Sequence, residues 1–339
     1  MAKIGIIGLG MMGTTHLDAY QKTAGAEVVA IADKSPALLS GEATASGNIE
    51  GQAAAGVASL GEGVARYSEA SELINDPNVE VVDICLPTPL HTEYALAALA
   101  AGKHVLLEKP MARTAADCQT ILDAANAKPE LITMPAMCMR FWPGWDWLKT
   151  AVDEGRYGKV ISATFRRIAS LPPGGFYANA EASGGAILDL HIHDTDFVQY
   201  CFGMPSEVTS FGSSSVTNGI DHVVTRYTCD NGALIVAEGS WAMADGFGFQ
   251  MQYQVNFENA TAVFDLAAEK VLTLIEKGKD PVGIELDSAM GYDLEIEYFV
   301  KCLEAGTQPT QVTMEDAANT VRIVEAEVKS IETGQPVKL

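Results

Sequence analysis

The chain has 339 residues, of which 48% are hydrophobic, and its formal net charge is −22. This length predicts two domains, each with its own core, and the negative charge excludes nucleic acid and anionic lipid as partners. No apolar run is long enough to cross a bilayer, and the first residues run directly into a strand pattern, so we expect a cytoplasmic protein that binds no membrane. The six cysteines are widely spaced, which predicts reduced thiols and no metal site.

The first part of the chain alternates short apolar runs with amphipathic segments. Strands are predicted over residues 3–7, 27–32, 79–86, 104–108 and 131–137, and helices over residues 11–23, 92–101 and 115–127. Strands that are apolar along nearly their whole length are typical of a parallel sheet with helices on both faces. We therefore predict a doubly wound parallel α/β domain over residues 1–137.

A glycine-rich loop joins the first predicted strand to the first helix, with Gly8, Gly10 and Gly13 in the spacing Gly-x-Gly-x-x-Gly. The first glycine permits a tight turn, the second lets the backbone approach a pyrophosphate, and the third lets helix and strand pack closely. The helix then begins at Met11 and Met12, whose N–H groups could bind the anion. The loop predicts a dinucleotide-binding Rossmann domain.

Asp33 ends the second predicted strand, at the distance from the loop that this kind of domain requires. A carboxylate there can bond the ribose diol and repel a 2′-phosphate, so we predict NAD as the cofactor. NADP stays open, because Lys34 and Ser35 could offer a partner to the phosphate. The stretch 41–63, rich in Gly, Ala and Ser, predicts an enlarged loop or a loosely packed helix that could cover the adenosine end of the cofactor.

Strand patterns of another kind dominate the second part of the chain. Residues 250–258 alternate polar and apolar side chains, which is typical of a half-buried strand. Residues 222–229 and 233–241 flank an Asp-Asn-Gly turn and predict a hairpin. Two helices are predicted nearer the end of the chain, over residues 292–305 and 314–333. We therefore predict an α+β domain over residues 138–339 with a large, open, mostly antiparallel sheet, whose last helix could pack back on the first domain.

Three further stretches carry a family resemblance. They are Pro-Thr-Pro-Leu-His at residues 87–91, Glu-Lys-Pro at residues 108–110, and residues 183–196, which contain an Asp-x-x-x-His pair. In this order, and with the glycine loop, they resemble the glucose–fructose oxidoreductase and inositol dehydrogenase (Gfo/Idh/MocA) family over essentially the whole chain. The resemblance implies a nicotinamide-dependent dehydrogenase or reductase that acts on the CH–OH groups of sugars, polyols or cyclitols. It also implies a homodimer or homotetramer paired through the open sheet.

The resemblance assigns roles to residues of these three stretches. It implies that Lys109, Asp189 and His193 surround the reacting carbon and the nicotinamide. It also implies that further residues lie along or near the cofactor, namely Pro87, Thr88, His91 and Glu108.

The same three catalytic candidates suit the chemistry of hydride transfer. Oxidation of an alcohol requires a base, and the pKa of a histidine such as His193 lies near working pH. A single helix over residues 185–202 would put Asp189 on the same face, four residues before His193, where it could orient the imidazole or hold a substrate hydroxyl. Lys109 follows a strand at the carboxyl edge of the parallel sheet, where it could polarise the reacting oxygen or share the role of base.

Other residues are candidates for the substrate pocket. Arg140, Trp142 and Tyr177 could line it, with packing as an equal alternative. His191 and Ser183 stand where the family usually has glycine. We expect His191 to border the pocket and select among substrates, and the alternative is that it packs inside the protein.

Three other functions stay open on the sequence. The first is an NAD-dependent enzyme of the same family that cleaves glycosides through a redox cycle. The second is a metal-dependent hydrolase that uses His191 and His193, although residues two apart on a helix diverge by roughly 200°. The third is a nucleotide-sensing protein without catalysis, which the presence of Lys109, Asp189 and His193 disfavours.

Overall fold

A computed structural model describes residues 1–43, 56–61 and 63–339, so most of the stretch expected to form an enlarged loop at residues 41–63 lies outside the described residues. The chain forms two units. One comprises Met1–Phe141 and Met290–Ala318, and the other comprises Trp142–Ala289 and Asn319–Leu339. The sequence-based boundary after residue 137 lies just before the first of these divisions. The sequence-based second domain, residues 138–339, also includes residues 290–318, which the structure groups with the first unit.

The first unit contains a six-stranded parallel sheet with the spatial order β3-β2-β1-β4-β5-β6. Its strands are β1 (Ala2–Ile7), β2 (Ala26–Ala32), β3 (Ala65–Tyr67), β4 (Val81–Ile84), β5 (His104–Glu108) and β6 (Thr133–Ala136). All of β4 and β6 is buried, as the continuous apolar runs predict for strands covered on both faces. The doubly wound parallel sheet is thus confirmed.

Helices accompany the strands of this unit. They are α1 (Met11–Lys22), α2 (Pro36–Ser40), α3 (Ala70–Asn75), α4 (His91–Ala100) and α5 (Ala115–Asn126), with short 3₁₀ turns at Val57–Ser59, Thr88–Leu90 and Cys138–Arg140. The N-terminus of α5 is capped by Thr114, whose hydroxyl accepts the Asp117 N–H at 3.1 Å. The helices predicted over residues 11–23, 92–101 and 115–127 match α1, α4 and α5 to within one residue at each end, as expected for helix termini.

The second unit contains a nine-stranded sheet with the order β14-β13-β12-β11-β7-β10-β9-β8-β15. Its strands are β7 (Val160–Ala169), β8 (Glu207–Ser213), β9 (His222–Thr228), β10 (Leu234–Ser240), β11 (Phe249–Phe257), β12 (Ala260–Asp265), β13 (Leu272–Glu276), β14 (Val282–Gly283) and β15 (Val337–Lys338). Only the β7–β10 pair is parallel. The predicted hairpin is formed by β9 and β10, and Gly232 in its turn has φ of +70°. The prediction of a large, open, mostly antiparallel sheet is confirmed.

One face of this sheet holds the core of the second unit. From Met251 to Phe257 of β11 the apolar residues are buried and the residues between them are partly or fully exposed, which confirms the predicted half-buried strand. Trp145 lies at the centre of the core, with its ring centroid 4.8 Å from that of Phe197, 5.4 Å from that of Tyr253 and 5.6 Å from that of Phe165. The helices of this part of the chain are α6 (Trp145–Asp153), α7 (Gly175–Ala178), α8 (Ala180–Ser183), α9 (Gly185–Asp189) and α10 (Ile192–Phe202).

Two longer helices follow, α11 (Gly291–Ala305) and α12 (Met314–Thr333). Within the first unit α11 packs against α1. Gly306 ends α11 in the left-handed conformation, with φ of +64°, which a glycine adopts without steric cost. In the described part of the chain, no helix has both the length and the apolar character needed to cross a membrane.

The single helix predicted over residues 185–202 is wrong, because the chain breaks between α9 and α10. The N–H groups of Leu190 and His191 both donate to the carbonyl oxygen of Ala186, at 3.0 and 2.8 Å, so the regular helical pattern is lost there. At the break the ring of His191 turns toward β10, where a side chain on Gly239 would have its Cβ 2.7 Å from the Cβ of His191. Asp189 therefore ends α9 and His193 lies in the first turn of α10, so the two residues are not four apart on one helix.

Candidate active site

The glycine loop has the geometry that close approach of a phosphate group requires. Gly8 has φ of +89°, and a Cβ there would lie 2.5 Å from the carbonyl oxygen of Cys85. A Cβ on Gly13 would clash with the carbonyl oxygen of Gly8, whereas a Cβ on Gly10 would meet nothing within 4 Å. The first and third glycines are thus needed by the fold. The second leaves open space beside the loop, and this cradle fits a dinucleotide pyrophosphate.

The N-terminus of α1 faces this space without a side-chain cap. The first hydrogen bond of the helix runs from the Thr14 N–H to the Gly10 carbonyl oxygen, at 3.1 Å. The preceding N–H groups, at Met11 and Met12, have no acceptor within the helix and could bind an anion.

Asp33 is tied to the loop. Its Oδ2 accepts the Leu9 N–H and its Oδ1 accepts the Ser35 N–H, each at 2.7 Å. The side chain is half-buried, and each carboxylate oxygen can accept a second hydrogen bond. The carboxylate is therefore able to hold a ribose diol while it supports the loop.

The motif that follows β4, residues 87–91, has three exposed and two buried members. Pro87 is exposed, whereas Thr88 is 4% and His91 is 1% exposed. The ring of His91 lies between two backbone carbonyl oxygens, with Nε2 2.7 Å from that of Leu86 and Nδ1 2.8 Å from that of Pro110. Burial lowers the pKa of His91. The ring thus links the loop after β4 to the loop after β5, and its expected place along the ribose stays a prediction.

Glu108 and Lys109 end β5 at the carboxyl edge of the sheet. Glu108 is 5% exposed, and its Oε2 accepts the backbone N–H of Lys109 at 2.9 Å. Lys109 itself is half-buried, and its peptide bond to Pro110 is cis. The carboxylate of Glu108 is therefore directed at the backbone of its neighbour.

A buried cluster beside Glu108 contains two residues, His16 and Asp83, that the sequence did not single out. His16 of α1 is fully buried, and its Nδ1 lies 2.9 Å from Oδ2 of Asp83, which is also fully buried. On the other side of the ring, Nε2 lies 3.1 Å from Oε1 of Glu108. Two signals in the sequence could have revealed it. Asp83 interrupts the apolar strand β4, and His16 falls on the buried side of α1 with Leu17 and Tyr20.

Within residues 189–196 of the second unit, most polar side chains are buried and bonded. Asp194 accepts hydrogen bonds from Arg167 at 2.9 and 3.3 Å, and Asp196 accepts one from Thr320 at 3.0 Å. Asp189 and His193 differ from these, because both are only half-buried. In this stretch they are thus the polar side chains that a ligand could reach.

His191 belongs to a buried network. Its side chain is fully buried, and its Nε2 lies 3.1 Å from the hydroxyl of Tyr227 and 3.6 Å from Oε2 of Glu327. Tyr227 and Thr195 both donate to Oε1 of Glu327, at 2.7 and 3.1 Å. This geometry favours the packing alternative for His191.

The alternative of a metal-dependent hydrolase that uses His191 and His193 has no support from the geometry of these two residues. The ring of His191 is turned toward Tyr227, and the one group of three potential ligands among residues 1–43, 56–61 and 63–339 is His16, Asp83 and Cys85. Those three side chains are hydrogen-bonded to one another, at 2.9 Å for the His16–Asp83 pair and 3.4 Å for each contact of the Cys85 sulfur. We assign no metal to them.

The remaining candidates occupy different surroundings. Arg140 is 1% exposed, and its Nη1 donates to the carbonyl oxygen of Gln311 at 2.9 Å and to Asp316 at 3.0 Å. Tyr177 is half-buried, and its ring packs edge-on against Trp241 with centroids 5.6 Å apart. Their contact with substrate stays a prediction.

The fold and the loop define the class of protein, a dinucleotide-binding protein of the Rossmann type. Residues 2–135 match the family described as "Oxidoreductase family, NAD-binding Rossmann fold", and residues 145–263 match the family described as "GFO/IDH/MocA C-terminal domain". The chain belongs to the GFO/IDH/MocA oxidoreductase family, and its first unit carries the NAD-binding domain.

Relatives of known name support this assignment. Myo-inositol 2-dehydrogenase of Thermotoga maritima is 30% identical over 287 residues, which are 82% of this chain and 79% of that protein. Levoglucosan dehydrogenase of Pseudarthrobacter phenanthrenivorans is 32% identical over 219 residues, which are 61% of this chain and 53% of that protein.

Solved structures show the same fold. Levoglucosan dehydrogenase in complex with NADH and levoglucosan has a TM-score of 0.84 at 23% identity, over 99% of each chain. A probable dehydrogenase from Thermotoga maritima has a TM-score of 0.79 at 27% identity, over 99% of this chain and 98% of that one.

Proposed function

We propose that this NAD-binding oxidoreductase interconverts an alcohol and a ketone or aldehyde on a sugar, polyol or cyclitol. The observation that carries the proposal is the exposure pattern of the matched motifs. Lys109, Asp189 and His193 are half-buried, whereas their polar neighbours Glu108 and Asp194 are buried and engaged in fixed contacts. The names of the relatives, which act on myo-inositol and levoglucosan, support the substrate class.

The three residues have distinct tasks in this proposal. When bound, NAD supplies the acceptor for the hydride that leaves the carbinol carbon. An imidazole nitrogen of His193 takes the hydroxyl proton, because a histidine can change its charge near neutral pH. The ammonium of Lys109 stabilises the negative charge that develops on the oxygen. Asp189 orients the imidazole or binds a neighbouring substrate hydroxyl.

The cofactor is held by backbone groups in this proposal. The N–H groups at the start of α1 bind the pyrophosphate, and Asp33 accepts hydrogen bonds from the ribose diol. A backbone site also suits a chain with a net charge of −22, which offers little general attraction to an anion.

A panel assay tests the function directly. The purified protein is mixed with NAD and with sugars, polyols, cyclitols and glycosides, and the absorbance of reduced nicotinamide is followed. We expect turnover with at least one CH–OH substrate, and loss of it in Lys109→Met. Binding of NAD without turnover of any compound would indicate the nucleotide-sensing alternative. Release of free sugar from a glycoside without net reduction of NAD would indicate the redox cycle.

We further propose a homodimer or homotetramer paired through the outer face of the second unit's sheet. Large apolar side chains on that face support it, since Phe211 is 72% and Leu234 is 54% exposed. Light scattering at micromolar concentration tests this, and a monomer would contradict it. A cytoplasmic location also stays a prediction.

A further inference from the structure

The buried cluster around His16 is built by three elements of the first unit. His16 lies on α1, Asp83 on β4 and Glu108 at the end of β5. The ring of His16 stands between the two carboxylates, with Nδ1 2.9 Å from Asp83 and Nε2 3.1 Å from Glu108. The Nε2 contact is an ion pair rather than a well-directed hydrogen bond, because the N–H does not point at the oxygen.

The second oxygen of Glu108 connects this cluster to Lys109. Oε1 faces His16, while Oε2 accepts the backbone N–H of Lys109 at 2.9 Å. Movement of the Glu108 carboxylate would therefore move or release the backbone that carries the Lys109 side chain.

We propose that His16 is a positioning residue, whose ring fixes the carboxylate of Glu108 between Asp83 and the Lys109 backbone and so holds Lys109 in its catalytic orientation. The catalytic part of this inference rests on the proposed function. The contacts of His16 with Asp83 and Glu108 are independent of that function, because the structure shows them directly.

Charge balance explains why a histidine stands here. Asp83 is fully buried and Glu108 is 5% exposed, and two carboxylates so far from water require a nearby positive charge. Burial alone lowers the pKa of His16, but the charge of Asp83 and the hydrogen bonds to Asp83 and Cys85 outweigh this effect and hold the pKa well above its usual value. His16 is thus an imidazolium at neutral pH.

The other titratable groups of the cluster do not supply that charge. Burial, followed by the charge of Asp83, raises the pKa of the Cys85 thiol, which stays protonated and contacts Oδ1 of Asp83 at 3.4 Å. Burial likewise raises the pKa of Tyr20, with further contributions from Asp83 and from Glu295 of α11. Both groups are neutral at neutral pH.

A second histidine holds the other neighbour of Lys109. His91 contacts the carbonyl oxygen of Pro110 through Nδ1 at 2.8 Å. Burial lowers the pKa of His91, whereas the pKa of His16 is raised. The two rings therefore brace the Lys109 segment differently. His91 does so through a backbone carbonyl oxygen, and His16 does so through a charge.

The experiment compares His16→Gln, Asp83→Asn and the control His222→Gln with the wild type. His222 is a suitable control, because it is a partly exposed histidine beside a carboxylate in the second unit.

For the substrate found in the panel, we expect kcat of His16→Gln to fall about tenfold to a hundredfold, with KM and NADH affinity changed by less than about threefold, as for a misplaced catalytic group. Asp83→Asn keeps an acceptor for Nδ1 but removes the charge, so the alkaline limit of its kcat profile should move to lower pH.

Two measurements need no substrate. In the protein labelled with ¹⁵N-histidine, the His16 signals, identified by their loss in His16→Gln, should show both ring nitrogens protonated at mildly alkaline pH. The stability that the charged ring contributes should be complete below the pKa of an unfolded histidine, and should be lost as pH rises through the raised pKa. The melting temperature of the wild type should therefore exceed that of His16→Gln at neutral pH, and the gap should narrow at alkaline pH.

Several results would overturn the inference. They are an unchanged kcat in His16→Gln, a neutral His16 ring in the labelled protein, and stoichiometric zinc bound by the purified protein and released by His16→Gln. A wild type that turns over no compound in the panel would instead contradict the proposed function, and with it the catalytic half of the role. The nitrogen signals would then still decide the charge of His16.

Discussion

The Lys109 segment and the Asp189–His193 segment differ in the local structure that carries them. Lys109 follows the strand β5, and its two neighbours are held by buried histidines through Glu108 and the Pro110 carbonyl. Asp189 and His193 flank a break between two helices, where the intervening His191 is buried in a network with Tyr227. In both segments half-buried residues stand next to fully buried polar ones.

The difference shows how the two segments hold their catalytic candidates. In the first, fixed strands and side-chain contacts set the backbone. In the second, the interruption of the helix directs His191 into the core, whereas His193, two residues later, stays accessible. In either segment the residues that a substrate could reach are the half-buried ones. The exposure of a polar side chain therefore distinguishes residues that could act on the substrate from buried residues that stabilise the structure. The predictions below test this separation.

The largest effect is expected for His193. His193→Ala removes the proposed base, and loss of a general base costs about a hundredfold to ten-thousandfold in rate. Steady-state kinetics on the identified substrate would measure it, with NADH affinity followed by fluorescence. His222→Gln serves as the control and should keep wild-type turnover. A His193→Ala enzyme with near-wild-type kcat would remove His193 from the chemical step.

Asp194, the buried neighbour of His193, should affect the stability of the fold and not the chemical step. Asp194→Ala leaves the guanidinium of Arg167, whose side chain is 4% exposed, without its buried partner, which costs about 3–5 kcal/mol. Asp153 provides the matched control, because it pairs with Lys149 on the surface and is 56% exposed. Asp153→Ala should change the free energy of unfolding by less than about 1 kcal/mol. Denaturant unfolding measures both, and equal costs would contradict the account.

Because His191 is buried, we expect it to contribute to stability and not to substrate choice. His191→Gly removes the ring that contacts Tyr227 and leaves polar groups without a partner, which costs about 1–3 kcal/mol. We expect the melting temperature to fall while the ratio of kcat/KM between related sugars stays unchanged. A shifted ratio with unchanged stability would instead support the role in substrate choice that the sequence suggested.

A smaller effect is expected at the cofactor. Asp33→Asn keeps an acceptor for one of the two N–H groups that Asp33 now binds, but it removes the charge that opposes a 2′-phosphate. We expect the wild type to bind NAD more tightly than NADP, and the variant to narrow that difference by about tenfold. Fluorescence titration with both cofactors tests this, and a wild-type preference for NADP would be the opposite result.

The first unit was predicted well because its signals are local. Apolar strands, the glycine spacing and Asp33 each depend on neighbours in sequence, and the bounds of β5 agree with the prediction at both ends. The nine-stranded sheet of the second unit could likewise be predicted, from the alternation of residues 250–258 and from the Asp-Asn-Gly turn that contains Gly232.

The second unit's site could not be predicted in the same way. The apolar and polar pattern of residues 185–202 is compatible with one helix, and the break depends on room at Gly239, which is distant in sequence. The cluster of His16, Asp83 and Glu108 also joins residues far apart along the chain. The sequence can mark His16 and Asp83 as buried polar residues, but no spacing rule pairs them. Contacts of this kind appear only when the strands are in place.

Lys109 provides the most direct test of the central claim, which is that the half-buried motif residues perform the chemistry. In Lys109→Met, kcat on the identified substrate and the dissociation constant of NADH are measured on the same preparation. We expect turnover to fall by about a hundredfold or more, because the charge that stabilises the developing oxyanion is gone, while NADH affinity changes by no more than a few fold. A variant that keeps wild-type kcat, or that loses NADH binding and turnover together, would contradict the account.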